Sequence, residues 1–539
     1  MNPRVRGLAD WLLIAGFCAF LFFYGLGSFG LIGADEPRYA QIAREMLARH
    51  DWITPTLGGT PWLEKPVLYY WEAMVSYRIL GVSDWAARAP SAVDAMLLVF
   101  AVYFFLRRFR RGMELDGALI TASAAGIIGF ARAASMDMPL AATFGMAMLA
   151  WYGWYESRQR SYLAGFYALL ALGTLAKGPV APFLGFVIVG IFAVARRDWA
   201  VLRRTVWVPG ILLFFLIALP WYVAVEIRNP EFFRVFILEH NLARFGTNLY
   251  HHKEPFWYYL PVMLLGLLPW TVLVLAALWE ALRAWRTEKV EMLRGESALE
   301  AFLVIWLVVP LIFFSVSQSK LPGYIVPALP AGTLILSEYV RRYTESARRP
   351  GWVWIGLHAI TAASLIVPSL LIVRLVQQRH LAWDRGTEVS CFLAGILAIG
   401  IVITLLRSSG LRLLRFVTLI PVLLSMVALL RIGAPALDDA LSARPLFEEI
   451  SHLEDVNALP PLATLNVPRE TEYGLAFYRG QVITPYTYGQ IPPETHILVA
   501  PQPQRQLVAR VLRGRRVSYL GTFWPQKMDY YWVAKEGSY

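Results

Sequence analysis

Apolar runs of roughly 20 residues, each long enough to cross a bilayer, recur along this chain as far as about residue 432. About thirteen can be placed, centred near Ala19, Val99, Ala125, Met146, Leu169, Ile188, Phe215, Leu268, Val308, Thr333, Ala363, Ile399 and Leu423. Lys177-Gly178-Pro179 alone separates the runs at Leu169 and Ile188, and Pro322, Pro327 and Pro330 break the run at Thr333. The first run, over 11–33, is too long for a signal-peptide core and lacks a convincing cleavage site, so it reads as a retained span. The pattern predicts an all-α polytopic membrane domain over 1–432, with polar loops at 34–90 and 227–255. In the first loop Tyr39, Ile42, Ala43, Met46 and Leu47 recur at helical spacing, with Gln41, Arg44, Glu45 and Arg49 elsewhere on the wheel. This predicts an amphipathic helix lying in the membrane interface, and 67–80 is a second candidate.

From about residue 433 the pattern changes to polar, Pro-rich and short-period. It predicts helices over 446–453 and 504–512 and strands over 462–465, 497–500, 517–521 and 530–533. Their alternation suggests a separate small α/β domain over 433–539, without a phosphate-binding glycine fingerprint.

Composition agrees with a membrane protein: 57% of the 539 residues are hydrophobic, 16% are charged, and the mean hydropathy is +0.49. The net charge of +12 does not mark a nucleic-acid binder, because the basic residues cluster in alternate short loops. These hold Arg107, Arg108, Arg110 and Arg111; Arg158 and Arg160; Arg196, Arg197, Arg203 and Arg204; Arg283, Arg286 and Lys289; Arg341, Arg342, Arg348 and Arg349; and Arg407, Arg412 and Arg415. The positive-inside rule makes those loops cytoplasmic, with Arg4 and Arg6. The other loops and the C-terminal domain then face the opposite side, the periplasm in a bacterium. Cys18 and Cys391 lie in apolar runs and indicate neither a disulfide framework nor a thiolate metal site.

The unusual ionisable residues share that opposite face. They are Asp35-Glu36 with Arg38 and Tyr39, Glu64-Lys65, Arg132, Asp137, Lys177, Arg244, His251-His252 and Lys320. Interleaved cations and carboxylates at one membrane depth suit a phosphate-bearing lipid that must be held and cleaved. Each has a plainer reading too. Asp35 and Asp137 stand where helix caps stand, Lys177 suits a snorkelling lysine, and the histidine pair suits head-group hydrogen bonds. With Glu64, His251 and His252 also offer ligands that suit zinc, although their spacing is not tight.

Asp35-Glu36-x-Arg38-Tyr39, Glu64-Lys65-Pro66, Met136-Asp137-Met138-Pro139, Lys177-Gly178-Pro179 and Lys320-Leu321-Pro322 with Tyr324 together resemble the protein-mannosyltransferase-like branch of the GT-C membrane glycosyltransferases. Within it, the chain is most similar to the lipid A aminoarabinose transferases, over nearly its whole length. The resemblance implies a GT-C fold of about 13 transmembrane helices with periplasmic interfacial helices in a bacterial inner membrane. It implies transfer of 4-amino-4-deoxy-L-arabinose from undecaprenyl phosphate to a lipid A phosphate, a change that favours polymyxin resistance. No cofactor is required, and a divalent metal, zinc, is the one candidate. Carried over residue by residue, Asp35 is the principal catalytic carboxylate, with Asp137 and Glu36 beside it. Arg38, Tyr39, Lys65, Tyr69, Arg132, Lys177, Arg244, Lys320 and Tyr324 bind substrate. A GT-C enzyme moving another polyprenyl-linked sugar to protein or glycan is the alternative. A flippase fits less well, since it calls for charges near the midplane and matching broken helices in two halves.

Overall fold

The structure is a computed structural model that describes residues 3–243, 254–288, 298–345, 351–378, 384–407, 413–452, 460–486 and 491–537. Six helices among them are long and apolar enough to span a membrane: Asp84–Phe109, Val208–Arg228, Ala298–Val316, Trp352–Leu370, Arg385–Leu406 and Leu414–Leu441. Two bent pairs raise this to eight: Glu114–Ala122 with Ala125–Ala131 at 63°, and Tyr259–Gly266 with Thr271–Arg283 at 113°. The other sequence-predicted centres fall on the helical run from Pro3 to Phe23 and on helices Asp137–Ser157, Arg160–Lys177, Val180–Arg196 and Leu329–Glu345. Leu268 itself sits in the sharper bend. There the two bent pairs meet backbone to backbone, because Gly126 and Gly266 carry no side chain to hold them apart. The Ala125 N–H donates to the Leu268 carbonyl at 2.8 Å, so each break satisfies a group freed by the other.

The arginine-rich ends gather at one end of the bundle, interleaved with acids. Arg110 reaches Glu156 at 2.9 Å and Glu338 at 3.8 Å, Arg342 meets Glu300 at 2.8 Å, and Arg415 pairs with Asp116. The opposite end carries the helices Asp35–Ala48 and Leu68–Leu80. Tyr39, Ala40, Ile42, Ala43 and Met46 are buried, as the helical spacing of the apolar residues predicts. The polar side of the Asp35–Ala48 helix departs from the interfacial expectation, for it is covered by protein. Glu45 accepts from Thr56 Oγ1 (2.7 Å) and from the N–H groups of Gly58 (2.8 Å) and Gly59 (3.2 Å), in the turn of the Thr56–Leu57/Thr60–Pro61 hairpin. Gln41 is buried, and Arg44 donates to the Phe477 carbonyl of the C-terminal part.

That part holds a five-stranded sheet in the order Thr484–Pro485, Leu462–Thr464, His496–Pro501, Met528–Val533, Val517–Phe523. The first three strands run parallel and the last two pairings are antiparallel. The predicted strands lie on observed ones, and the predicted helices on Arg444–His452 and Arg505–Val511. The helix Arg469–Arg479, which packs on the Asp35–Ala48 helix, was not predicted.

The chain between the first span and Asp35 is held from within. Arg88, fully buried on the Asp84–Phe109 helix, donates to the carbonyls of Leu26 (2.9 Å), Phe29 (2.8 Å) and Gly30 (2.8 Å). It also forks onto Glu36 at 3.0 and 2.6 Å. The carboxylate of Glu36 accepts from Ile32 N (2.8 Å) and Ala134 N (2.7 Å). Removing one member of such a buried pair leaves the other charge uncompensated. Arg88→Met should therefore lower stability by about 3–5 kcal/mol, read as a fall in the thermal unfolding midpoint in detergent. An unchanged midpoint would contradict this account of the pair.

Candidate functional site

Asp35 is the first residue of its helix but does not cap it. The cap position is Ala34, and no side chain caps that end. The half-exposed Asp35 carboxylate instead pairs with Arg38 one turn on. Arg38 lies between the rings of Tyr39 and Trp62, 4.9 and 5.3 Å from their centroids, and its Nη2 donates to the Tyr39 hydroxyl at 3.3 Å. Burial pulls the guanidinium pKa down, but Tyr39 and Asp35 more than offset this and raise it. Burial, with the carboxylates of Asp35 and Asp137 adding to it, holds the Tyr39 hydroxyl well above its ordinary pKa. Tyr39 is thus a neutral hydrogen-bonding group that lies in the field of both aspartates.

A second ion pair comes from two other helices. Asp137 begins Asp137–Ser157, Lys177 ends Arg160–Lys177, and the two side chains pair directly. Gly178 at φ +89 turns the chain away just beyond the lysine. The ammonium also lies 4.6 Å over the ring of Tyr324. Next to Tyr324, Gly323 packs so closely under the Asp137 carboxylate that a Cβ there would displace it. Tyr259 holds this turn, its hydroxyl 3.1 Å from both the N–H and the carbonyl of Leu321. Lys320 is buried and donates to the Ser317 carbonyl at 2.5 Å. The Asp137, Lys177 and Lys320–Tyr324 motifs are therefore brought together, and the charge of Asp137, like that of Asp35, acts on the Tyr39 hydroxyl.

Three further sequence-predicted site residues have their polar atoms engaged within the protein. Glu36 has its carboxylate engaged by Arg88, Ile32 and Ala134, so it organises backbone rather than facing the aspartates. Tyr69 is fully buried, edge-on to Tyr39 and Tyr70 at 6.2 and 6.1 Å, with its hydroxyl donating to the Ala87 carbonyl at 2.8 Å. Arg132 donates to the carbonyls of Leu21 (3.1 Å), Tyr24 (2.9 Å) and Gly25 (2.8 Å), closing the end of the first span. Glu64 and Lys65 are half-buried just ahead of the Leu68–Leu80 helix. Arg244, His251 and His252 lie outside the described residues. Among the described residues no three His, Cys, Asp or Glu side chains come together to hold a metal.

Sequence reasoning missed Arg88, whose only mark is one arginine inside the run Ala86-Ala87-Arg88-Ala89-Pro90. It also missed Trp62 as a wall for Arg38, and Tyr473 of the Arg469–Arg479 helix. Burial raises the pKa of Tyr473, and the nearby charges of Arg38 and Glu64 act on the same hydroxyl.

Residues 11–236 match the dolichyl-phosphate-mannose-protein mannosyltransferase family. The undecaprenyl phosphate-α-4-amino-4-deoxy-L-arabinose arabinosyl transferase 1 of Pseudomonas fluorescens is 30% identical over 428 residues, 77% of this chain and 72% of that one. The transferase of the same description from Edwardsiella ictaluri is 32% identical over 350 residues, 63% of this chain and 61% of its own length. The fold is that of ArnT from Cupriavidus metallidurans bound to undecaprenyl phosphate, with a TM-score of 0.76, 22% identity and 98% of each chain covered.

Because Asp35 makes one half-exposed ion pair and no cap, Asp35→Asn should change folding stability by no more than about 1 kcal/mol. Membrane abundance and thermal midpoint check this, and a large fall in either would return Asp35 to a structural role.

Proposed function

We infer the reaction from the family: this chain belongs to the undecaprenyl phosphate-α-4-amino-4-deoxy-L-arabinose arabinosyl transferases. It moves the aminoarabinosyl group from undecaprenyl phosphate to a phosphate of lipid A. The observation that carries this reading is a pair of carboxylate–cation contacts at one end of a membrane bundle, Asp35–Arg38 beside Tyr39 and Asp137–Lys177 beside Tyr324, with both aspartates acting on the Tyr39 hydroxyl. The arginine-rich end of the bundle lies in the cytoplasm of a bacterial inner membrane, and the Asp35 end and the C-terminal part face the periplasm.

In the reaction the bond from the anomeric carbon to the donor phosphate oxygen breaks. A lipid A phosphate oxygen forms the new bond, and undecaprenyl phosphate leaves. A phosphate monoester is largely dianionic above its second pKa of about 6. A dianion and a monoanionic donor give a monoanionic product and a dianionic leaving group, so charge balances without a proton transfer. No general base is then required. Asp35 serves by orienting the acceptor or by balancing the cationic amine of the sugar. Lys177 and Arg38, with Lys65, Lys320 and Arg244, offset phosphate charge as the glycosidic bond breaks. Glu36 and Arg132 act through the backbone they hold.

The test uses purified protein in liposomes with undecaprenyl-phosphate aminoarabinose and lipid A. Asp35→Asn should lower kcat by about a hundredfold, the size of losing an electrostatic stabiliser. Gly323→Ala, which pushes Asp137 off Lys177, should cost up to about a hundredfold through misplacement. Near-parent rates for Asp35→Asn would remove it from the chemistry. Sugar found on protein instead of lipid A would favour the alternative acceptor.

A further inference from the structure

We propose that the C-terminal part positions the catalytic carboxylate, with its Arg444 and Tyr478, and Asp438 at the end of the Leu414–Leu441 helix, holding the backbone that feeds Asp35. This rests on the reaction inferred above. A unit that merely covered the membrane helices would meet them through side-chain surfaces. Here its Arg444 and Tyr478, together with Asp438 at the end of the Leu414–Leu441 helix, bind main-chain atoms of one short stretch ahead of Asp35. Arg444 donates to the carbonyls of Gly27 (3.1 Å) and Ser28 (3.3 Å). Asp438 accepts from the N–H of Gly30 at 2.8 Å, and the Tyr478 hydroxyl accepts from the N–H of Leu31 at 2.7 Å. Ile32 then forms an antiparallel bridge with Ser442.

Two of the three holding groups are tied to one carboxylate of the membrane domain, and the third, Asp438, is tied to Arg444. Asp84, at the start of the helix that carries Arg88, accepts from Arg444 at 2.9 Å and from the Tyr478 hydroxyl at 2.7 Å. Arg444 Nε is 3.0 Å from Asp438. Gly30 sits against Ser442 and Tyr478 with no room for a Cβ, so the stretch has one seat. The Asp35–Ala48 helix is gripped again farther on, where Arg44 donates to the Phe477 carbonyl beside Tyr478. Both ends of that helix therefore refer their position to the Arg469–Arg479 helix. A hydrogen bond to a charged group is worth more than a neutral one, and a buried main-chain group left unpaired is costly. Loss of this grip should free the segment without unfolding the sheet behind it.

The test uses the full-length protein carrying Tyr478→Phe, Arg444→Lys or Arg444→Met. Tyr478→Phe keeps the ring stacked on Phe447 (6.1 Å) and loses only the hydroxyl. Two readouts are taken: hydrogen exchange of peptides covering 25–38, against those of the strands Leu462–Thr464 and His496–Pro501, and the kinetics of transfer. Exchange over 25–38 should rise roughly five- to tenfold in Tyr478→Phe and more in Arg444→Met, with the strands unchanged. In the same variants kcat should fall by about tenfold while KM for the donor moves less than about twofold, since the positioned group acts after binding. Arg444→Lys should recover part of both effects, as a point charge replaces a fork. Unchanged exchange over 25–38 overturns the proposal, as does exchange that rises equally in the strands. Raised exchange with parent kcat also overturns it. If the parent protein transfers no aminoarabinose, the reaction inferred above fails, and exchange alone still decides whether the C-terminal part holds this segment.

Discussion

Every main-chain carbonyl from Tyr24 to Gly30 is taken by a guanidinium, and the rest of the site depends on that. Arg132 takes Tyr24 and Gly25, Arg88 takes Leu26, Phe29 and Gly30, and Arg444 takes Gly27 and Ser28. A chain leaving a membrane helix loses its helical partners where water is scarce, so its carbonyls must find donors in the protein. Guanidinium suits the task, with five donors in a rigid fork and a charge that does not titrate away. The cost is a buried cation, which Glu36 offsets for Arg88 while also accepting two N–H groups. Asp35 begins its helix directly after this bound stretch.

Carboxylates next to one another in the sequence thereby acquire opposite duties. Glu36 turns inward and is saturated, whereas Asp35 stays half-exposed beside Arg38. The same division appears among the cations. Arg88 and Arg132 are engaged with backbone, while Lys177 holds Asp137 and lies over Tyr324. Groups of one residue type are thus separated by their partners, backbone for some and a carboxylate for others.

Much of this was legible in the sequence. Apolar periodicity placed the Asp35–Ala48 helix and its buried face, and the alternation of short polar and apolar elements placed most of the C-terminal strands. Motif order brought Asp137, Lys177 and Tyr324 to one place. Contacts that depend on distant backbone were not legible. Nothing near Arg88 announces Glu36 as its partner, and nothing near Arg132 announces the carbonyls at the end of the first span. The polar face of the Asp35–Ala48 helix looked suited to the membrane interface because a period reports amphipathicity but not what covers the polar side. Here the Gly58-Gly59 turn and the Arg469–Arg479 helix cover it. Tyr69, carried over with the family resemblance, is fully buried with its hydroxyl on the Ala87 carbonyl, a contact the sequence does not show.

If Asp35 serves the transfer of aminoarabinose to lipid A, its carboxylate is needed in the living cell. Mass spectrometry of lipid A decides this, from bacteria lacking the protein and complemented with either the parent chain or Asp35→Asn at equal membrane abundance. The account predicts lipid A species heavier by one aminoarabinosyl group with the parent chain, and their near-absence with the variant. Unmodified lipid A in the parent-complemented cells, or equal modification by the variant, would contradict it.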